Sequence, residues 1–162
     1  MMGDFRYAAI SAVLGAMRAT RLDRLAAPRL RGRGVILTLH HVRPAGMAGF
    51  QPNRILEIDP GFLDAALRMI RAEGYDIGRM DEIAQRLRSD GPPFVMLTFD
   101  DGYRDNLNEA LPVLRANAAP FTLYVTPGFV DAAAPLWWRD LEEVVATAGP
   151  KLEVPFAEGP LT

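Results

Sequence analysis

The stretch Phe94–Asn106, FVMLTFDDGYRDN, constrains the fold more than any other part of the chain. An apolar run, Phe94-Val95-Met96-Leu97, follows the breaker Ser89-Asp90-Gly91-Pro92-Pro93 and reads as a buried strand. The run ends in two adjacent carboxylates, Asp100 and Asp101, and then Gly102. A helical segment comes next, in which Leu107, Leu111 and Leu114 are spaced to share one face. A hydrophobic strand that delivers acids at its carboxyl end beside a glycine turn is where α/β folds place chemistry. The tripeptide alone would also suit a plain turn with a helix cap.

The rest of the chain supplies material for one core. Its 162 residues are 49% apolar, which predicts a single domain of ordinary size. A net charge of −2 gives no basic field for phosphates, so nucleic acid is not an expected partner. The one basic concentration, Arg29-Leu30-Arg31-Gly32-Arg33, reads as a solvated linker. There is no cysteine, which excludes disulfides and thiolate metal sites. No stretch reaches the roughly 20 apolar residues of a membrane span. Met1–Thr20 lacks a small-x-small cleavage site and runs straight into Arg18, Arg21 and Arg24, so it reads as an amphipathic helix, and a cytoplasmic location is expected.

In chain order, residues 4–26 are predicted as one helix, with Phe5, Ile10, Val13, Leu14, Met17, Leu22 and Leu25 available for packing and Pro28 ending it. Residues 1–33 thus form an N-terminal helical arm, and 34–162 the main domain. Val35–Leu39 is a short strand that runs into His40-His41, and residues 45–53 form a loop. Asp59 caps a helix that has Pro60 in its first turn. Tyr75–Ile77 is extended, and Met80–Leu87 a short helix with Asp81 and Glu82 at its start. A helix from about Arg104 to Asn117 follows the central strand, with Asp105 and Asn106 as caps. Phe121–Thr126 is a strand broken by Pro127-Gly128, residues 136–148 are helical, and residues 151–154 are a candidate last strand. Strands alternating with helices predict an α/β fold with a parallel sheet, open or barrel-like.

These motifs resemble a known family. TFDDGYRDN at 98–106, ILTLHHVRP at 36–44, FLDAALRMIRAEGYDI at 62–77, PFTLYVTPGFV and Trp137-Trp138-Arg139-Asp140 are similar to the NodB-homology polysaccharide deacetylases, in their chitooligosaccharide deacetylase branch. The similarity runs from residue 34 to about 145. It implies a distorted (β/α) barrel with parallel strands, incomplete in this chain, and hydrolysis of N-acetyl groups on N-acetylglucosamine-containing oligosaccharides or polysaccharides. It implies further that Asp100 is the general base and Asp101 a ligand of a divalent metal, usually zinc. The division of labour is chemically sound: one carboxylate holds a cation that acidifies water, and its unligated neighbour takes the proton. Neighbouring strand residues point oppositely, so both acids reach one cleft only if the strand ends there, and Gly102 permits that bend.

His40 matches a Tyr-His-x-Val-type position of the family and is read as a rim residue contacting substrate or Asp100. By strand alternation, at most one of His40 and His41 is expected to face the cleft. Tyr103 is a candidate wall of the sugar cleft, though a tyrosine there serves equally to cover the core. Trp137 and Trp138 suit either a stacking face for a pyranose or burial against the barrel.

The family's His-x-x-x-His motif, due after the aspartates, is missing: both histidines, His40 and His41, lie upstream. One carboxylate is too poor a site for zinc, which takes three protein ligands and a water. The chain is therefore expected to be the N-terminal part of a longer enzyme. The alternative is an inactive carbohydrate-binding module. Phosphoryl transfer on magnesium is disfavoured, because no glycine-rich phosphate loop is present.

Overall fold

The computed structural model describes residues 2–44, 46 and 50–148. Two helices, α1 (Met2–Ala19) and α2 (Leu22–Leu30), precede β1 (Gly34–Leu39) and β2 (His41–Val42). A 3₁₀ turn at Pro52–Leu56 leads into β3 (Glu57–Ile58), α3 (Pro60–Ala72) and β4 (Asp76–Gly78). Another 3₁₀ turn, Met80–Glu82, opens into α4 (Ile83–Arg88), and β5 (Phe94–Phe99) follows. One π-helical turn, Asn106–Ala110, continues as α5 (Leu111–Ala116), and then come β6 (Thr122–Leu123), α6 (Pro127–Val130) and α7 (Trp137–Thr147).

The sheet is parallel and is organised around β5. β1 pairs with it along its whole length, from Gly34 opposite Phe94 to Leu39 opposite Phe99. The other edge is shared by β4, which pairs with residues 94–96, and β6, which pairs with residues 98 and 99. A strand with neighbours on both edges and helices nearby should be apolar throughout, and all six residues of β5 are buried. Leu63 and Leu67 of α3 pack with Val95, Leu97 and Phe99, and Leu114 of α5 joins the same core. Asp59 caps α3 as its sequence suggests, its carboxylate accepting from Gly61 N at 2.7 Å, with Pro60 in the first turn. Gly34 is required where β1 begins, because a Cβ there would stand 2.4 Å from the Phe94 ring.

Several elements differ from their sequence reading. The single helix predicted over 4–26 is two, separated at Thr20-Arg21, where Arg21 adopts φ 57° and the Thr20 hydroxyl turns back to Ala16 O at 2.8 Å. Pro28 does not end the second helix, which runs on to Leu30. Ile10, Val13, Leu14, Leu22 and Leu25, offered as packing residues, are all more than half exposed. Helical spacing groups Leu107 with Leu111 and Leu114, yet Leu107 is 63% exposed, and Asn106, Ala110 and Leu114 are the buried set. The π turn is the reason. Leu111 N bonds to Asn106 O, five residues back, which rotates everything before it relative to α5. Pro112 has no N–H to offer the carbonyl four residues back, so a regular helical bond is missing there in any case. The strand expected over Phe121–Thr126 shrinks to Thr122–Leu123, and Pro127, read as a strand breaker, also starts α6. β2 and β3 form a two-residue parallel ladder that the sequence did not announce. The candidate strand at 151–154 lies outside the described residues.

Candidate active site

The in-register pairing of β1 with β5 sets the geometry of the acids. Since Leu39 lies opposite Phe99, the next residues, His40 and Asp100, leave the sheet side by side, and Asp100 N donates to Leu39 O at 3.0 Å. His40 Nε2 stands 3.9 Å from Asp100 Oδ2, beyond hydrogen-bond reach, with the side chains 29% and 37% exposed. Asp100 is thus open to solvent at the strand's carboxyl end.

The chain then reverses within one residue. Gly102 N donates to Asp100 O at 2.9 Å, and Asp101 between them has φ 70°, so Asp101 is the centre of a γ-turn with positive φ. Gly102 follows at φ 73°. The bend expected from Gly102 is therefore shared with an aspartate held in left-handed backbone, a conformation that costs a non-glycine residue energy and that collects at functional positions. Asp101 lines a cavity of about 750 Å³ together with Tyr103, Leu107, Phe121, Phe129 and Arg139. The two acids consequently look different ways: Asp100 towards His40, Asp101 towards the cavity and Tyr103.

Tyr103 binds this region together. Burial and then the neighbouring Asp101 carboxylate push its phenol above the ordinary value, while a hydrogen bond with Trp138 and the nearby Arg139 charge pull it down. Its ring lies 3.8 Å from that of His41, at 31°. Trp138 meets Phe129 edge-on at 5.4 Å, and Trp137 is 63% exposed.

The sequence reading missed a polar cluster behind this turn. His41 Nδ1 lies 2.7 Å from Asp105 Oδ2, with side chains only 16% and 17% exposed. Asn106 Nδ2 donates to His40 O at 2.8 Å and to Asp105 Oδ1 at 3.1 Å. Neither Asp105 nor Asn106 is the helix cap expected of it: the start of the π turn has no side-chain cap, and both residues tie the helix to the end of β1 instead. Asn106 Oδ1 is buried without a protein partner. His40 falls between β1 and β2 rather than inside one continuous strand, and the two rings part: His40 stands beside Asp100, and His41 turns to Asp105 behind the turn. A signal for the pair was present, in two histidines closing one strand and an Asp-Asn closing the acid motif, but alternation hid it.

Among the described residues, no group of three or more His, Cys, Asp or Glu side chains gathers closely enough to hold a metal ion. Asp100, Asp101 and His40 therefore do not make the ligand set that zinc requires.

Comparison with known proteins agrees with the motifs. Residues 88–149 match the family model described as polysaccharide deacetylase, the kind of protein that the acid-bearing motif resembles. Among solved structures, the de-N-acetylase from Aggregatibacter actinomycetemcomitans is similar at a TM-score of 0.50 and 24% identity, over 60% of this chain and 39% of that one. That likeness shows the fold, a (β/α) barrel of which this chain forms an incomplete part. The Streptococcus pyogenes deacetylase PplD, solved with acetate, is 23% identical over 68% of this chain and 52% of its own, with a TM-score of 0.48. IcaB from Ammonifex degensii is 26% identical over 58% of this chain and 38% of its own, also at 0.48. The chain thus spans between about two fifths and one half of the structures it resembles. No curated protein matches it by sequence. Among the described residues, no helix is long and apolar enough to cross a membrane.

Proposed function

We propose that this chain carries the acid-bearing part of a polysaccharide deacetylase, which hydrolyses N-acetyl groups of a chitooligosaccharide or related polysaccharide to a free amine and acetate. The observation that carries the reading is the fully buried strand β5 ending in Asp100 and Asp101, with Asp101 held in positive-φ backbone. A rigid strand and a strained turn are how a fold fixes two side chains against solvent motion.

Asp100 accepts a proton from the water that attacks the acetyl carbonyl, as the C–N bond breaks and the amine takes a proton in return. His40, beside Asp100, and Tyr103, beside Asp101, are the rim residues placed to contact the sugar. Asp101 contributes one carboxylate towards a divalent cation, zinc by analogy with the resembled family. The described residues do not complete that ligand set.

The same shortage of ligands favours a second reading, a carbohydrate-binding module without hydrolysis. Acetate release from N-acetylglucosamine oligomers by the full natural chain, with divalent metal supplied, separates the two. Release supports the enzyme. Oligomer binding without release supports the module, and neither binding nor release overturns both.

A further inference from the structure

We infer that the N-terminal arm is a docking surface for an anionic phospholipid membrane, which it meets lying flat rather than spanning. This inference stands independently of the deacetylase reading. α1 contacts α2, and among the described residues neither helix contributes to the buried core. Tyr7, Ile10, Val13, Leu14, Leu22, Leu25 and Leu30 are each more than half exposed. On α1, Tyr7, Ile10, Leu14 and Met17 fall at helical spacing along one face, and alanines fill much of the opposite one. A helix so apolar around its circumference is ordinarily covered by something.

Charge decides what covers it. Residues 18–33 hold six arginines, at 18, 21, 24, 29, 31 and 33, against the single acid Asp23, in a chain whose net charge is −2. All six are exposed. Among the described residues, none of the ion pairs involves Arg18, Arg21, Arg24, Arg29 or Arg31. Exposed apolar side chains flanked by unpaired cations match an interface with acyl chains below and anionic headgroups beside them. A purely polyanionic partner would leave the leucines and Val13 unexplained, and a second copy of this chain would bring like charges together. Among the described residues no helix is long and apolar enough to cross the bilayer, and a helix lying in the interface needs no such length.

The test is co-sedimentation of the full chain with phosphatidylcholine vesicles, with and without phosphatidylserine. We expect affinity at least about tenfold higher with phosphatidylserine, and weaker in high salt. The triple variant Arg18→Glu, Arg21→Glu, Arg24→Glu should lose that gain, and the double variant Val13→Ser, Leu14→Ser should lose binding to both vesicle types. Thermal unfolding should be unchanged in each, since these side chains touch no core. Equal binding to both vesicle types, or none to either, overturns the inference. So does a wild-type dimer in sedimentation velocity that Val13→Ser, Leu14→Ser dissolves, because the arm would then be covering a second copy.

Discussion

β1 and β5 are neighbours of the same length, in register, both written as short apolar runs, and their fates are opposite. Every residue of β5 is buried, whereas five of the six in β1 are exposed, with Val35, Ile36 and Leu37 at 44%, 45% and 38%. The difference lies in what flanks them. β5 has β1 on one edge and β4 and β6 on the other, while among the described residues β1 pairs only with β5. Each strand delivers one side of the candidate site, β5 the acids and β1 the histidines. The acids are therefore fixed by burial, whereas the histidines are fixed by polar ties to the helix behind the turn.

That contrast can be broken by mutation, starting where it is largest. Phe99→Ala removes a fully buried ring from β5 and should cost about 3–5 kcal/mol of stability. Ile36→Ala, on the open strand, should cost at most about 1 kcal/mol. Urea unfolding of the two variants measures both, and equal costs would mean that β1 is covered in solution.

The polar ties come next. Asp105→Ala leaves His41 Nδ1 without its 2.7 Å partner and Asn106 Nδ2 with one acceptor fewer, for an expected loss of about 1–3 kcal/mol in the same measurement. A loss near zero would show that the histidine side of the site does not depend on this pair.

Asp101→Gly should act in the opposite direction. Glycine accepts φ 70° without strain, so stability should rise by up to about 1 kcal/mol, while acetate release by the full natural chain is lost. A variant no more stable than the wild type would remove the claim that the turn is strained.

The smallest effect belongs to the ribbon after β1. Hydrogen bonding from Arg43, opposed by burial, holds the Glu57 carboxyl below its usual value. A depressed carboxyl contributes stability above its unfolded pKa of about 4.3, and that contribution disappears as pH falls through the lower folded value. Glu57→Gln should flatten this part of the acid limb of a pH–stability profile and leave the profile at higher pH parallel to the wild type. An unchanged acid limb would assign that pH dependence elsewhere.

What could be read from the sequence follows from how local each feature is. The buried strand and its acid turn were legible because a continuous apolar run and Asp-Asp-Gly are contiguous signals. The cap of α3 was legible for the same reason, with Asp59 and Pro60 adjacent. The exposure of β1 was not, since an apolar run marks a strand without saying what will cover it. The π turn was hidden because one wider turn leaves the leucine spacing of 107, 111 and 114 intact on paper while rotating Leu107 out of the core. The His41–Asp105 pair joins residues 64 positions apart, across two elements, which no local pattern reports.

The central claim is that Asp100, open at the end of a rigid strand, takes the proton from the attacking water. It is tested most directly by acetate release from N-acetylglucosamine oligomers by the full natural chain and its Asp100→Asn variant. Losing a general base should lower the rate by about 10²–10⁴-fold. The unfolding midpoint should stay where it is, because the side chain is 37% exposed and outside hydrogen-bond reach of His40. Release that survives the substitution would contradict the assignment, as would a loss of rate that merely tracks a loss of fold.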